Sequence, residues 1–410
     1  MRARLLAVFQ SRRMAALFAL GFSSGLPLLL TSHTLQAWLA TRDVDLDRIA
    51  LMSVVGLAYS LKFLWAPLFD RFRLPLLGRR RGWVLAFQLG LIVAIAAMGT
   101  VDPVGQPYLL AAIAAVVALL SASQDVVLDA YSTDVLEPHE RAAGSAIYVV
   151  GYRVGMLVAG TAALILADHV SWRAVYAAMA AAMGLGVIAT LVAEEPAAPA
   201  RPVPSVARAV VEAVRELVAQ RGRAGVARLL AFAALYELGY FFAQAIIMPF
   251  LTRGCGFQLT EIAEAYKLMV FAGTAVGGAI AGAVVARLGV RRMLVPFGAL
   301  AALTHLAYVA LALAGHDVVL LCVAVGLDSI ANAMVISVFV AVVMSACTRA
   351  VSATQYAVLT SLASLGQRAL GPLASHVEHA VGWAGFFVVT ALLALPGLIA
   401  AGVLAREPER

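Results

Sequence analysis

Long apolar runs alternate with short polar turns along the whole chain, and about twelve of these runs reach the roughly 20 residues that a transmembrane helix needs. In the first half the predicted spans lie at 14–38, 48–69, 83–100, 107–131, 142–167 and 172–192. In the second half they lie at 226–252, 261–285, 292–314, 318–345, 351–376 and 383–404. The pattern predicts an all-α polytopic membrane protein.

Composition and charge support this fold class. Of the 410 residues, 63% are hydrophobic and 13% are charged, whereas soluble domains carry about 25% charged residues. The three cysteines are far apart in the sequence, so we expect no structural disulfide. The formal net charge of +7 comes from arginines in the short turns. Their uneven distribution places both termini in the cytoplasm and explains the charge without nucleic-acid binding.

The two halves of the chain echo each other at a nearly constant offset. GYR at 151–153 recurs as GQR at 366–368, and SW at 171–172 recurs as GW at 382–383. Internal repeats of this kind are typical of secondary transporters, whose substrate sites lie between the repeats. The repeat therefore predicts two bundles of six helices.

A proline-rich stretch separates the halves. It reads EEPAAPARPVP at 194–204, and the residues after it have helical spacing with charges of alternating sign. This is typical of a linker followed by an amphipathic helix at the membrane surface. We predict an N-terminal six-helix bundle at 1–193, a cytoplasmic linker with an interfacial helix at 194–225, and a C-terminal six-helix bundle at 226–410.

A basic turn after the second span carries candidate gating residues. Asp70-Arg71 precedes GRRR at 78–81, and Arg287 lies in a partial copy of this turn, in which Ala286 replaces the carboxylate. Contacts among arginines, carboxylates and helix-terminal carbonyls can tie helix ends together in one conformation and release them in another. Positive-inside charge is the simpler alternative. The predicted gating residues are Asp70, Arg71, Arg79, Arg80 and Arg287.

Eight charged residues fall inside predicted spans. They are Asp125, Asp129, Glu237, Asp328, Lys62, Arg153, Lys267 and Arg368. A charge at the bilayer centre costs about 2.5 to 3.5 kcal/mol, so these side chains should face a cavity or one another.

The four acids among them are candidates for proton coupling. Asp125 and Asp129 lie four residues apart, on one face of a helix, and two close carboxylates cannot both ionise cheaply. Such a pair can change its protonation with conformation, as proton coupling requires; a static buried ion-pair network is the alternative. Glu237 and Asp328 are further coupling candidates.

Arg153 and Arg368 occupy matching places in the two halves, each in a glycine-rich setting. A planar guanidinium suits a carboxylate or a phosphate, so we predict that they anchor the substrate, with ion pairing inside the protein as the alternative. The complete set of predicted substrate-binding residues is Arg153, Arg368, Lys62, Lys267, Gln124, Tyr152, Tyr236, Tyr240 and His33.

No motif indicates a metal, a nucleotide or a catalytic centre. The order H-x-E-H at 376–379 has no third ligand, no phosphate-binding loop of the Walker type is present, and no nucleophile lies beside a base in a recognisable pattern. We therefore expect no metal, no cofactor and no enzymatic activity, with the proton gradient as the energy source.

Several ordered segments are specific beyond their hydropathy. They are GFSSGLPLLL and LQAWL in span one, KFLWAPLFDRF and GRRRGW around the first turn, SASQDVVLDAYSTDVL in span four, GYRVGMLVAG in span five, LTRGCGF after span seven and SATQYAVLTSLASLG in span eleven. Together they resemble the AmpG muropeptide permeases of Gram-negative inner membranes, within the major facilitator superfamily. The resemblance covers nearly the whole chain.

The resemblance implies two pseudo-symmetric six-helix bundles that work by alternating access. It also implies proton-driven import of N-acetylglucosaminyl-anhydro-N-acetylmuramyl peptides from periplasm to cytoplasm for peptidoglycan recycling. The expected partners are this glycopeptide and membrane lipid, not nucleic acid, and the expected state is a monomer in the inner membrane. The alternatives are a carrier of another bulky anion, such as acetyl-coenzyme A, and a membrane sensor that binds its ligand without transport.

Overall fold

The computed structural model describes residues 12–72, 74, 77–136, 140–196, 206–346, 359–361, 364–365 and 368–406. Within these ranges all regular elements are helical. Ten helices of the described ranges are long and apolar enough to cross a membrane. Chain contacts separate the described residues into two units, one within 1–43 and 61–204 and the other within 44–60 and 205–410.

The first half of the chain forms eleven helices in its described ranges. They are α1 (Arg12–Leu30), α2 (His33–Thr41), α3 (Leu46–Met52), α4 (Leu57–Leu61), α5 (Ala66–Arg71), α6 (Arg81–Met98), α7 (Pro107–Val135), α8 (Arg141–Leu157), α9 (Ala163–His169), α10 (Trp172–Ala182) and α11 (Gly184–Val192). A π-helical turn, Val158–Ala162, makes α8 and α9 continuous.

The second half follows the same pattern of long helices with local breaks. Its described helices are α12 (Val206–Leu235), α13 (Leu238–Gln244), α14 (Ile247–Pro249), α15 (Leu259–Glu261), α16 (Lys267–Leu288), α17 (Val290–Ala314), α18 (Val318–Ala346), α19 (Leu373–Leu392) and α20 (Ala394–Ala405). π-helical turns, Phe250–Gly254 and Ile262–Tyr266, follow α14 and α15.

The predicted second span, 48–69, is not one continuous helix. It consists of α3, α4 and α5 with the 3-10 turns Ser53–Gly56 and Lys62–Leu64 between them. A proline stands in the first turn of α5, where its missing N–H leaves no hydrogen bond unmade. Residues 44–60 pack with the second unit, although the prediction placed them among the first six helices. The predicted domain boundaries stay a prediction.

α12 and α19 are each interrupted by a glycine with non-helical backbone angles. Gly222 in α12 has φ 68° and ψ 165°, and Gly382 in α19 has φ 69° and ψ 175°. A positive φ favours glycine. The first break falls between the predicted interfacial helix and span seven, and the second precedes span twelve. Most of predicted span eleven, 351–376, lies outside the described residues.

Each unit has its own aromatic and aliphatic core. In the first unit the ring of Phe69 lies 5.1 Å from those of Trp83 and Phe87. In the second, the rings of Phe232 and Tyr236 lie 4.6 Å apart within a larger apolar cluster. These cores fix the helices that carry the polar side chains.

Four glycines let the backbones of α1 and α8 touch. Gly21 and Gly25 lie on α1, and Gly151 and Gly155 on α8; a Cβ atom on any of them would overlap a carbonyl oxygen of the other helix. Each pair is spaced four residues apart, the pattern that brings membrane helices into close contact. Polar side chains on these two helices therefore come within hydrogen-bonding distance.

We predict that Gly151→Ala destabilises the protein, because its methyl group would collide with the carbonyl oxygen of Phe18. Overpacking of this kind costs about 1 to 3 kcal/mol, which a thermal-unfolding measurement on detergent-solubilised protein detects. Gly184→Ala is the matched control, since no atom lies within 4 Å of its Cβ position. Equal melting temperatures for the two variants would contradict the close contact.

Candidate functional site

A buried carboxyl group lies where α1, α7 and α8 meet. Asp125 of α7 is 8% exposed. The hydroxyl of Ser24, on α1, donates to its carboxylate, and the hydroxyl of Tyr148, on α8, donates to Ser24 at 3.0 Å. The three side chains form a hydrogen-bonded chain across three helices, and both hydroxyl partners are neutral.

Amide and hydroxyl groups form further hydrogen bonds beside this chain, in the buried interior of the first unit. Gln124 donates to the backbone carbonyl of Ser23 at 3.1 Å, and Gln88 donates to the Ser23 hydroxyl at 3.4 Å. Thr190 of α11 donates to Gln88 at 2.8 Å. We name the set Ser23, Ser24, Gln88, Gln124, Asp125, Tyr148 and Thr190 the buried polar network. Sequence reasoning identified only Gln124 and Asp125 within it.

The second acid of the predicted pair has a different environment. Asp129 is one helical turn beyond Asp125, but its side chain is 62% exposed, and it lies 3.8 Å from the ammonium of Lys62. The indole of Trp65 donates to Ser123 at 2.9 Å, which ties the segment after Lys62 to α7. Burial therefore distinguishes the two aspartates, and Asp125 is the one enclosed by protein.

The basic turn binds two acids that sequence reasoning missed. Arg80 and Arg79 lie 3.1 Å and 3.5 Å from the carboxylate of Asp134, at the end of α7. The carboxylate of Glu195 accepts from the backbone N–H groups of Arg80 and Arg81 at 2.8 Å and 3.0 Å. The turn thus links the start of α6 to the ends of α7 and α11.

Further contacts close this cluster of helix ends. Arg81 donates to the carbonyls of Thr190 and Leu191, the last residues of α11, where a cation also complements the helix dipole. Arg13 pairs with Glu140 at 2.8 Å and with Glu194 at 3.2 Å. The side chains of the predicted gating residues Asp70 and Arg71 lie outside the described residues, and Arg287 is exposed.

The second unit contains a separate polar cluster around Asp328, which is 4% exposed. Its carboxylate accepts from Thr304 at 3.2 Å and from Tyr308 at 3.3 Å. His305 lies 3.9 Å from Asp328 and shares a 2.8 Å hydrogen bond with Thr390. As in the first unit, the closest partners of the buried acid are hydroxyl groups.

A cleft of about 350 Å³, including its open part, adjoins this cluster. It brings together the predicted residues Tyr236, Glu237, Tyr240 and Asp328, with His305 and Asn332 as lining residues that the prediction missed. Tyr236 also donates to the carbonyl of Leu294 at 2.5 Å. Glu237 is partly exposed in the cleft and is therefore accessible to a ligand.

The other predicted substrate-binding residues are dispersed. Arg153 is exposed on α8, Tyr152 is half-buried one turn from Tyr148, and His33 is half-buried at the start of α2. The side chain of Lys267 lies outside the described residues. Arg368 packs against Gly56 in the second unit.

Comparison with known proteins decides the family. A family model described as Major Facilitator Superfamily matches residues 14–271. An anhydromuropeptide permease of Escherichia coli K12 is 43% identical over 401 residues, which cover 97% of this chain and 81% of that protein. The chain belongs to the anhydromuropeptide permease family of the major facilitator superfamily. The predicted family and fold class are confirmed, and this family member is a multi-pass membrane transporter, not an enzyme.

More distant proteins match over nearly the whole chain. An uncharacterized protein of Haemophilus influenzae is 33% identical, covering 95% of this chain and 93% of its own. A solved peptide transporter of the POT family superposes with a TM-score of 0.74 at 13% identity, covering 96% of this chain and 94% of its own. The nucleoside transporter NupG superposes with a TM-score of 0.72 at 13% identity, covering 96% and 100%. At such identities the similarity concerns the fold alone.

We predict that Asp134→Asn slows transport by up to about fivefold, the effect of losing a partly exposed ion pair worth up to about 1 kcal/mol, while leaving ligand binding intact. The reason is that Asp134 holds Arg79 and Arg80 at the helix ends and lies outside the buried polar network. Uptake and binding are measured on the same preparation. Asp102→Asn is the control, because its carboxylate accepts from the neighbouring N–H groups of Val104 and Gly105 in the α6–α7 loop. A large loss of affinity in Asp134→Asn would contradict a gating role.

Proposed function

We propose that this protein is a proton-coupled secondary transporter that imports anhydromuropeptides from the periplasm to the cytoplasm. The observation that carries the proposal is the 43% identity with the Escherichia coli anhydromuropeptide permease over 97% of the chain. This identity extends over both halves of the chain, so we propose that the two proteins share their cargo and their conformational change. The protein would act as a monomer in a Gram-negative inner membrane, without cofactor and without nucleic acid.

The buried polar network supports proton coupling. A carboxyl group enclosed by protein is expensive to ionise unless it is hydrogen-bonded, and Asp125 is bonded through neutral hydroxyls. Protonation of Asp125 therefore leaves no buried cation without its partner. In a direct buried ion pair, neutralising the acid would leave the cation unpaired. We assign Asp125 the role of proton carrier and Asp129, with Lys62, that of an electrostatic neighbour. Asp328, with hydroxyl partners of its own, is the candidate in the second unit.

Protonation would also alter contacts between helices. Ser24 has one hydroxyl proton, which it donates to Asp125 while it accepts from Tyr148. A protonated Asp125 is itself a donor, and when the proton sits on the oxygen that faces Ser24 the order of donors in the chain reverses. Because this hydrogen-bonded chain joins α1, α7 and α8, proton binding alters the contact between these helices, as alternating access requires.

Uptake into membrane vesicles tests the proposed function directly. Vesicles that contain the protein should accumulate labelled anhydromuropeptide when the outside is more acidic, and accumulation should collapse when the gradient is dissipated. Accumulation of labelled acetyl-coenzyme A but not of labelled anhydromuropeptide would instead indicate a carrier of another bulky anion. Binding without accumulation would indicate a sensor.

We predict that Asp125→Asn abolishes gradient-driven accumulation while counterflow exchange persists. Asparagine keeps the size and the hydrogen bonding but stays neutral, and exchange needs no net proton movement. A static structural role predicts another result, since disrupting a buried charge network costs about 3 to 5 kcal/mol and would lower the melting temperature and both transport modes together. Asp168→Asn, at an exposed position on α9, is the control. Accumulation at the wild-type level in Asp125→Asn would remove it from the coupling mechanism.

A further inference from the structure

The side chain of Arg368 is half-buried in the second unit, and its Nε atom is buried without an acceptor among the described residues. This atom has no hydrogen-bond partner among the described residues, and no ion pair within the described chain includes Arg368. An arginine keeps its charge inside proteins, and an unpaired charge in the membrane interior is costly. This charge therefore calls for an anion that the described chain does not supply.

Gly56 provides the space that the guanidinium occupies. It ends the 3-10 turn Ser53–Gly56. A Cβ atom on Gly56 would overlap Nη1 of Arg368 and lie 3.0 Å from its Cζ atom. Any side chain at position 56 would therefore displace the guanidinium. Tyr59, one turn further along the chain, lies close enough to interact with it electrostatically.

A second buried polar group without a partner lies one turn before Gly56. The hydroxyl oxygen of Ser53 is buried and has no hydrogen-bond partner in the described residues. It packs against Gly371, whose Cβ position also lies 3.3 Å from the carbonyl oxygen of Arg368. Ser53 and Gly56, the residue that contacts the guanidinium, thus both face the segment 368–371.

The register of contacts explains why these groups face each other. Positions 53, 56 and 60 contact positions 371, 368 and 364, and the last contact is a 2.7 Å hydrogen bond from Ser364 to Ser60. As the residue number rises in one segment it falls by the same amount in the other, so the two segments run antiparallel. Along this line Ser60 has a partner, whereas Ser53 and the Nε of Arg368 have none within the part of the chain that the structure describes.

We propose that Arg368 and Ser53 form a subsite for a carboxylate of the transported ligand, with Gly56 as the positioning residue. The proposal rests on the proposed function, since a glycopeptide cargo carries peptide carboxylates. A guanidinium can bind both oxygens of a carboxylate, and the hydroxyl adds a third donor. One guanidinium and one neutral hydroxyl match a single negative charge better than a phosphate dianion, so the subsite selects a carboxylate.

The test compares two forms of one probe on purified full-length protein. One is an anhydromuropeptide with free peptide carboxylates, and the other is the same compound with these carboxylates amidated. The wild type should bind the acid more tightly than the amide. Arg368→Gln should weaken binding of the acid on the order of 30-fold, as expected when one partner of a buried charged pair is removed, and should change binding of the amide little.

Glycine variants test positioning. Gly56→Ala should reduce the preference for the acid in the same way as Arg368→Gln, because the methyl group moves the guanidinium. Gly278→Ala is the matched control, since its Cβ position on α16 has no atom within 4 Å. It should keep the wild-type preference.

Serine variants separate binding from stability. Ser53→Ala removes a hydroxyl that has no partner among the residues with described positions, so the melting temperature should not fall, while affinity for the acid should drop about fivefold. Ser60→Ala removes the acceptor of Ser364 and should lower the melting temperature without changing the preference for the acid. A loss of stability in Ser53→Ala with unchanged affinity would assign this hydroxyl to packing.

The outcomes distinguish the subsite from the proposed function. A wild type that binds acid and amide equally overturns the subsite alone, as do Arg368→Gln and Gly56→Ala variants that weaken both forms to the same extent. A wild type that binds neither form overturns the proposed function and the subsite with it. If Arg368→Gln does not fold, Gly56→Ala and Ser53→Ala decide the question.

Discussion

The contact between the backbones of α1 and α8 is the constraint on which the buried polar network depends. Glycines on both helices remove the side chains that would hold them apart. Ser24 can then reach Asp125 on one side and Tyr148 on the other. In a bilayer, water is not available to buried polar groups, so an acid in a helix is tolerated only when such proximity supplies hydrogen-bond donors.

The charges inside the two units are held in three different ways. Asp125 and Asp328 are buried among neutral donors, Asp129 shares an exposed contact with Lys62, and Arg368 has no anionic partner in the described chain. Each arrangement suits a different task in transport. A carboxyl group among hydroxyls can gain and lose a proton without leaving a buried cation unpaired, whereas an arginine without an anionic partner keeps its charge and favours a ligand that brings one.

Much of this architecture is predictable from sequence because it follows from the cost of polar groups in lipid. Hydropathy locates most of the spans, and the same cost singles out Asp125 as a residue that must be enclosed. Ser24, Tyr148 and Gln88 are missed since neutral polar residues are common in membrane helices, so their presence alone gives no signal. A search for polar residues near the glycine pairs of α1 and α8 would have found two of the three.

Other features depend on contacts that are distant in the sequence. Asp134 and Glu195 bind the basic turn from 54 and 115 residues away, and His305 joins Glu237 at one cleft only through the packing of α17. The second predicted span is interrupted by two 3-10 turns, one ending at Gly56, which packs against Arg368, and one beginning at Lys62, which lies near Asp129. Hydropathy averages over such residues and therefore cannot detect the breaks.

The central claim is that a proton on Asp125 acts through its hydroxyl chain. The most direct measurement is a double-mutant cycle of Tyr148→Phe with Asp125→Asn, in which the ratio of gradient-driven accumulation to counterflow is compared in four proteins. If the chain transmits protonation, Tyr148→Phe lowers this ratio in the wild-type background and has no further effect when residue 125 is asparagine. Equal effects of Tyr148→Phe in both backgrounds would contradict the account.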